Sequence, residues 1–139
     1  MDRRYRVFLT RRLLQIALAI GALVPILAGC AGVLWGPLML GQNSLAIPSM
    51  DSHYRYLSGL LLGIGLGFWT TISDIERQTS RFRLLVAIVI LGGLGRLYSL
   101  VLVGIPDHPM LFGLVMELFI VPLLALWQSV VAHQHRVLE

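Results

Sequence analysis

Four long apolar runs, separated by short polar segments, dominate the hydrophobicity pattern of this chain. They cover approximately residues 13–40, 56–72, 84–104 and 110–131. Each run is long enough to cross the hydrocarbon core of a bilayer as an α-helix with some tilt. No run alternates apolar and polar residues with the period of two that a lipid-facing barrel strand requires. The pattern predicts an all-α fold, an integral membrane antiparallel four-helix transmembrane bundle.

Composition agrees with lipid as the solvent. The 139 residues are 57% hydrophobic and 13% charged, whereas soluble domains carry about 25% charged residues. No internal repeat or low-complexity linker divides the chain, so we predict a single transmembrane domain over residues 1–139. The net charge of +4 comes from arginines that cluster beside the apolar runs, where membrane proteins place their cations. We therefore predict that the protein is surrounded by a lipid bilayer and that it does not bind nucleic acid.

The arginines also predict the orientation. With the N-terminus inside, nine of them fall on the cytoplasmic side: Arg3, Arg4, Arg6, Arg11, Arg12, Arg77, Arg81, Arg83 and Arg136. Only Arg55 then lies in an outer loop. Because cytoplasmic loops carry the excess of basic residues, we expect an N-in, C-in protein of the bacterial inner membrane.

The first apolar run has an alternative interpretation. Leu27-Ala28-Gly29-Cys30 fits a lipoprotein cleavage box, and cleavage there would leave a lipidated Cys30 and three spans. The residues after Cys30 remain apolar, however, whereas a lipoprotein usually continues into a polar tether. Small residues such as Ala28, Gly32 and Gly36 also serve helix contacts in membranes. We favour an uncut first helix.

Two full charges lie inside apolar runs, Arg96 in the third and Glu117 in the fourth. Counted from the connecting turn, both lie about 10–12 Å deep at 1.5 Å per residue. A burial cost of about 2.5–3.5 kcal/mol for each charge favours an ion pair between them. The pair either locks two helices together or forms a polar site for a lipid headgroup, a quinone or a proton. Pro122, one turn beyond Glu117, predicts a local distortion of the helix.

Glycines recur at every fourth position of the second run, at Gly59, Gly63 and Gly67. This spacing predicts a ridge for helix packing. Gly92, Gly93 and Gly95 are expected to make similar room beside Arg96.

Polar residues crowd the predicted outer mouth of the bundle: Asp51, His53, Tyr54, Arg55, Asp107 and His108. Aspartate and histidine are metal ligands, but on loops they are more often simply solvated, so we predict no metal site. No serine or cysteine nucleophile has a partner histidine in a recognisable arrangement, and Cys30 is the sole cysteine. We predict no cofactor and no catalytic site.

Three segments together resemble a known family. They are YRYLSGLLLGIGLGFW, GGLGRLYSLVLVGIP and LFGLVMELFIVPLLALW. In order and spacing they resemble a small bacterial family of uncharacterised four-span membrane proteins, which looks related to the DoxX-like proteins. The resemblance implies four spans and family positions at Arg55, Gly59, Gly63, Arg96, Gly104 and Glu117; it implies no established activity. The charged linker and the histidine-containing tail depart from the family pattern.

Three classes of function follow from these observations. The first is a non-enzymatic accessory or scaffold subunit that packs against a larger membrane complex or a second copy of the chain. The second is a small-molecule, lipid or quinone-binding module that uses Arg96 and Glu117. The third is a proton or ion pathway, which ranks last because two buried charges are too few for a relay.

Overall fold

The structure, a computed structural model, describes residues 3–40 and 47–137, which are mostly helical and contain no strand. Helix α1 spans Arg3–Trp35 and continues as a 3₁₀ turn, Gly36–Leu40. Helices α2 and α3 span Pro48–Thr71 and Thr79–Val103. The last segment consists of α4 (His108–Val115), a π-helical stretch (Met116–Ile120) and α5 (Val121–Arg136). The all-α prediction is confirmed.

Three helical segments are long and apolar enough to cross a membrane. They are Tyr5–Leu38, Thr79–Val103 and His108–Arg136. Large apolar side chains lie exposed along them, including Leu91 at 68% and Val101 at 73%, as expected of helices whose surroundings are lipid. Helix α2 has 24 residues, but Arg55 and its glycines and threonines lower its mean hydropathy. The protein is therefore a membrane protein with three candidate spans, and the fourth span remains a prediction.

The predicted helix ends are wrong in several places, because polar residues that flank the apolar runs are also helical. Helix α1 begins at Arg3, ten residues before the apolar run, and α3 begins at Thr79 instead of Leu84. Arginine is a good helix former, so a basic segment can extend a helix into water.

The polar segment before the second run also proved to be partly helical. Helix α2 begins at Pro48, not at Tyr56, and proline suits the first helical turn because its missing N–H is not needed there. Asp51 in that first turn complements the helix dipole. The remainder of this polar segment, residues 41–46 with Gln42 and Asn43, lies outside the described residues.

The chain divides into two compact units, Ile16–Ile72 and Met1–Gln15 with Ser73–Glu139. In the first unit, α1 and α2 approach closely at glycines. A Cβ on Gly29 would lie 2.6 Å from the backbone nitrogen of Leu62, and one on Gly65 would lie 2.7 Å from Ile26 Cγ1. Gly32 likewise abuts the Ser58 side chain. Gly29, part of the possible cleavage box, thus has a packing role within an unbroken helix.

In the second unit, α3 packs against the segment α4 to α5. The connection 72–78 is held from two sides. Arg11 pairs with Glu76 at 2.8 Å and donates to the Ser73 carbonyl at 2.9 Å. Gln128 donates to the Ile75 carbonyl at 2.8 Å. Polar contacts from Arg11, in the first part of this discontinuous unit, and from Gln128, near its end, therefore hold the connection that precedes α3.

Candidate functional site

The structure brings together Arg96 and Glu117, the two charges inside apolar runs. Nε of Arg96 lies 3.2 Å from Glu117 Oε1 and 3.0 Å from Oε2. Both carboxylate oxygens therefore face one nitrogen of the guanidinium, not its two-nitrogen fork. The Arg96 side chain is 38% exposed and that of Glu117 is 17% exposed. The pair is half-buried, with the arginine as its more accessible member.

Glu117 sits in the π-helical stretch, one helical turn before Pro122. The distortion predicted from Pro122 takes this form, because a proline cannot donate the backbone hydrogen bond that a regular α-helix requires. π-Helical turns occur frequently at functional sites. The wider turn here carries the one carboxylate that lies inside the segment His108–Arg136.

Two glycines shape the surroundings of the pair. A Cβ on Gly93 would lie 2.9 Å from Glu117 Cβ and 2.7 Å from Leu118 Cδ2. Only a glycine at this position of α3 allows the π-helical turn to pack so closely. A Cβ on Gly113 would lie 3.8 Å from Cζ of Arg96, at ordinary van der Waals distance. Gly92 and Gly95, in contrast, meet no described atom within 4 Å.

A cavity of about 160 Å³ opens beside the guanidinium. It is half-open and lies between the end of α3 and the beginning of α4, lined by Arg96, Ser99, Leu100, Pro106, Met110 and Leu114. Polar groups thus come from Arg96 and Ser99, and the other walls are apolar. A cavity of about 150 Å³ is large enough to hold a benzene ring.

The guanidinium has donors to spare on the cavity side. Arginine carries five N–H donors, and Nε is the one that bonds Glu117. Nη1 points to Met110 Sδ at 2.9 Å, and a thioether is a weak acceptor. No other bond from the Arg96 guanidinium is formed within the described part of the chain. An oxygen acceptor entering the cavity would find these N–H groups available.

The polar residues of the predicted outer mouth are divided between the two compact units. Asp51 and Arg55 form an ion pair at 2.8 Å on α2, and His53 beside them is exposed. Asp107 and His108, at the beginning of α4, belong to the other compact unit and are exposed.

Within residues 3–40 and 47–137, no three histidine, cysteine, aspartate or glutamate side chains come together as a metal site would require.

Arg55 has a role that sequence reasoning missed. Its guanidinium donates to the carbonyls of Val33 and Leu34, in the last turn of α1. Those carbonyls have no partner within their own helix, and a cation at this end also complements the helix dipole. Gly36 follows with φ of +61°, the left-handed conformation that often ends a helix. The hydrogen bond to Asp51 raises the pKa of Arg55, which precedes the apolar segment, further above its ordinary value.

Two of the three glycines singled out by their spacing do not pack against the described part of the chain. Gly59 and Gly63 are exposed, and a Cβ on either would meet no described atom within 4 Å. Gly65, which lies outside the every-fourth spacing, is buried and packs against α1. The ridge therefore remains a prediction about a partner outside the chain.

Gln128 is the other residue that the apolar pattern concealed. Its side chain is fully buried, and Nε2 donates to the Ile75 carbonyl and to Thr79 Oγ1, at 2.8 and 2.9 Å. A lone glutamine in an apolar run was the available signal, because a buried amide needs hydrogen-bond partners.

Comparison with known proteins gives one match. The model of a family described as a domain of unknown function (DUF4345) matches residues 13–128. No curated protein and no solved structure matches the chain. The match confirms the resemblance to an uncharacterised family, whereas a bacterial origin and a relationship to DoxX-like proteins remain predictions.

Proposed function

Because this chain belongs to the DUF4345 family, a family of unknown function, we propose its activity from its geometry: a membrane protein that binds the oxygen-bearing head of a lipophilic molecule in the Arg96 cavity. The observation that carries the proposal is the guanidinium that lines this cavity with donors left over from its ion pair. Ligand sites are typically apolar pockets with a few well-placed polar groups. The walls from Leu100, Pro106 and Leu114 and the polar groups of Arg96 and Ser99 fit that description.

Glu117 has a positioning role in this proposal. By holding Nε, it fixes the plane of the guanidinium and directs the Nη groups away from itself. The fork that remains suits a carbonyl, carboxylate or phosphate oxygen. A lipid headgroup, a quinone or another carbonyl-bearing amphiphile would supply such an oxygen, and the size of the cavity fits one ring or one small headgroup.

The proposed topology places this site in a four-span bundle with both termini inside. The arginine distribution supports that orientation, and the length of α2 supports a fourth span despite its lower hydropathy. Reporter fusions after His135 should read cytoplasmic, and insertions at Asp107 should read outside. A cytoplasmic reading at Asp107 would contradict this topology.

The binding proposal is tested by filling the cavity without touching its charges. Leu114→Phe should occupy the space, whereas Val115→Phe adds the same ring at the neighbouring position, which is 51% exposed. Each protein is purified in mild detergent, and its bound molecules are identified by mass spectrometry. We expect wild type and Val115→Phe to retain an enriched species that Leu114→Phe loses. Identical, nonspecific lipids in all three would refute the proposal.

A second candidate function is an accessory subunit of a larger membrane complex or homo-oligomer. The observation that favours it is the exposure of Gly59 and Gly63, where a helix of another protein could approach the α2 backbone. Gly63→Leu should then release a protein that copurifies with wild type from native membrane. Copurification unchanged by Gly63→Leu would contradict a contact at this ridge.

A further inference from the structure

We infer that the polar end of the unit 1–15 with 73–139 is a binding surface for an anionic phospholipid, distinct from the Arg96 cavity. Its core is a set of exposed arginines that we name the arginine rim: Arg6, Arg12, Arg81, Arg83 and Arg136. The fold gathers these side chains at one end of the unit. It also neutralises a carboxylate among them and exposes apolar side chains directly beside them.

Contacts within this unit gather the rim at one end. Arg11, next to Arg12, reaches the Ser73 carbonyl and Glu76 in the connection before α3. Gln128 of α5 donates to Thr79, the first residue of α3 and two positions before Arg81. The beginning of α1, the beginning of α3 and the second half of α5 therefore meet around one short connection.

The same contacts remove negative charge from this end. Glu76 lies in the connection before α3; its side chain is only 6% exposed, and Arg11 neutralises it. Asp74 is the exposed carboxylate that remains among the described residues of the connection. Because Arg11 and Glu76 neutralise each other, the five exposed arginines of the rim keep their charge with Asp74 as the exposed carboxylate of the described connection.

Arg81 and Arg83 are the most available members of the rim. Neither makes a hydrogen bond or an ion pair with any described residue, and both are exposed. Phe82 between them is fully buried and anchors the first turn of α3. Basic side chains beside a membrane helix attract anionic headgroups through their charge.

A phospholipid fits this surface better than a soluble phosphate because apolar surface begins at the next residue. Leu13 follows Arg12 and is 48% exposed; Leu84 follows Arg83 and is 64% exposed. Ile88, one turn further along α3, is 43% exposed. A phospholipid whose phosphate is held by the arginines would therefore place its acyl chains along exposed leucine and isoleucine side chains. Clusters of basic residues beside membrane helices attract anionic lipids in this way.

The test compares lipid retention by three full-length proteins: wild type, Arg81→Gln with Arg83→Gln, and Arg81→Lys with Arg83→Lys. Each is placed in nanodiscs of equal parts phosphatidylglycerol and phosphatidylcholine, and retained lipids are counted by native mass spectrometry. Wild type should enrich phosphatidylglycerol. The glutamine pair should reduce that enrichment by about fivefold for each arginine removed. The lysine pair retains the charge and should keep most of the enrichment.

Two further conditions complete the test. Raising the salt from 0.15 M to about 1 M should weaken the enrichment, because ions screen the attraction. Ten millimolar inorganic phosphate should leave it unchanged if a lipid is the occupant. Enrichment retained by the glutamine pair, lost equally by the lysine pair, or displaced by inorganic phosphate would overturn the inference. Because Arg96 is unchanged in all three proteins, a difference in enrichment between them does not come from the cavity.

Discussion

Replacing Arg96 by leucine tests whether the intramembrane pair acts as a unit. The substitution removes the cation from the carboxylate of Glu117, whose side chain is only 17% exposed. Oε2 of Glu117 is already buried without a hydrogen-bond donor in the described chain, and its contact with Arg96 Nε at 3.0 Å is electrostatic. After the substitution that carboxylate would have no compensating charge.

The size of the effect lies between two limits. Breaking a fully buried pair costs about 3–5 kcal/mol, whereas an exposed pair contributes about 0–1 kcal/mol. Arg96 is 38% exposed, so screening reduces the first figure, and we expect Arg96→Leu to cost about 2 kcal/mol. Adding Glu117→Leu removes the stranded carboxylate and should recover about 1–2 kcal/mol of that loss.

The assay is a double-mutant cycle measured by denaturant unfolding in mixed micelles. A control cycle pairs Arg96→Leu with Glu76→Gln, since Glu76 contacts Arg11 and lies before α3. The control effects should add within about 0.5 kcal/mol. If the effects of Arg96→Leu and Glu117→Leu also add, the two side chains do not interact in the folded protein and the geometry described above is refuted.

Three other substitutions and one control test local features of the fold, each by thermal unfolding. Gly93→Ala places a methyl 2.7 Å from Leu118 Cδ2 and should destabilise the protein by about 1–3 kcal/mol. The control Gly92→Ala, with open space around it, should be neutral or stabilising. Equal losses of stability in the two variants would refute the close approach at Gly93. Gly36→Ala forces alanine into φ of +61° and should cost at least about 1 kcal/mol; an unchanged melting temperature would contradict this helix end. Gln128→Leu removes two hydrogen bonds and should cost about 1–3 kcal/mol; no loss would show that they contribute nothing.

Much of the helical architecture could be predicted from the apolar runs, because lipid requires each spanning segment to satisfy its own backbone hydrogen bonds. The ends of the helices could not, since polar residues are compatible with helix wherever water or a side chain satisfies them. The early beginning of α2 is an example. Pro48 and Asp51 are helix-starting residues, but they stand in a polar segment outside the apolar run, so the hydrophobicity pattern does not include them in the helix.

For the candidate site, the position of the charge pair could be predicted from the sequence, whereas the cavity beside it could not. Counting residues from a short turn is enough to place Arg96 and Glu117 at one level, because helix rise is constant. The cavity beside them depends on which way Met110 and Leu114 of α4 point relative to the end of α3, and no local pattern encodes that. Likewise, the spacing of Gly59 and Gly63 is regular, but the contact with α1 occurs at Gly65, because the partner helix determines which face is covered.

The discontinuity of one compact unit has a consequence for biosynthesis. Residues 16–72 form a contiguous hairpin, so α1 and α2 can pair as soon as both have left the ribosome. Arg11 must wait for Glu76, 65 residues later, and Ile75 must wait for Gln128, 53 residues later. Arg11 is therefore synthesised well before the residue that fixes its side chain. A ribosome stalled before residue 128 should leave the connection 72–78 accessible to protease, whereas the 16–72 hairpin should already resist it.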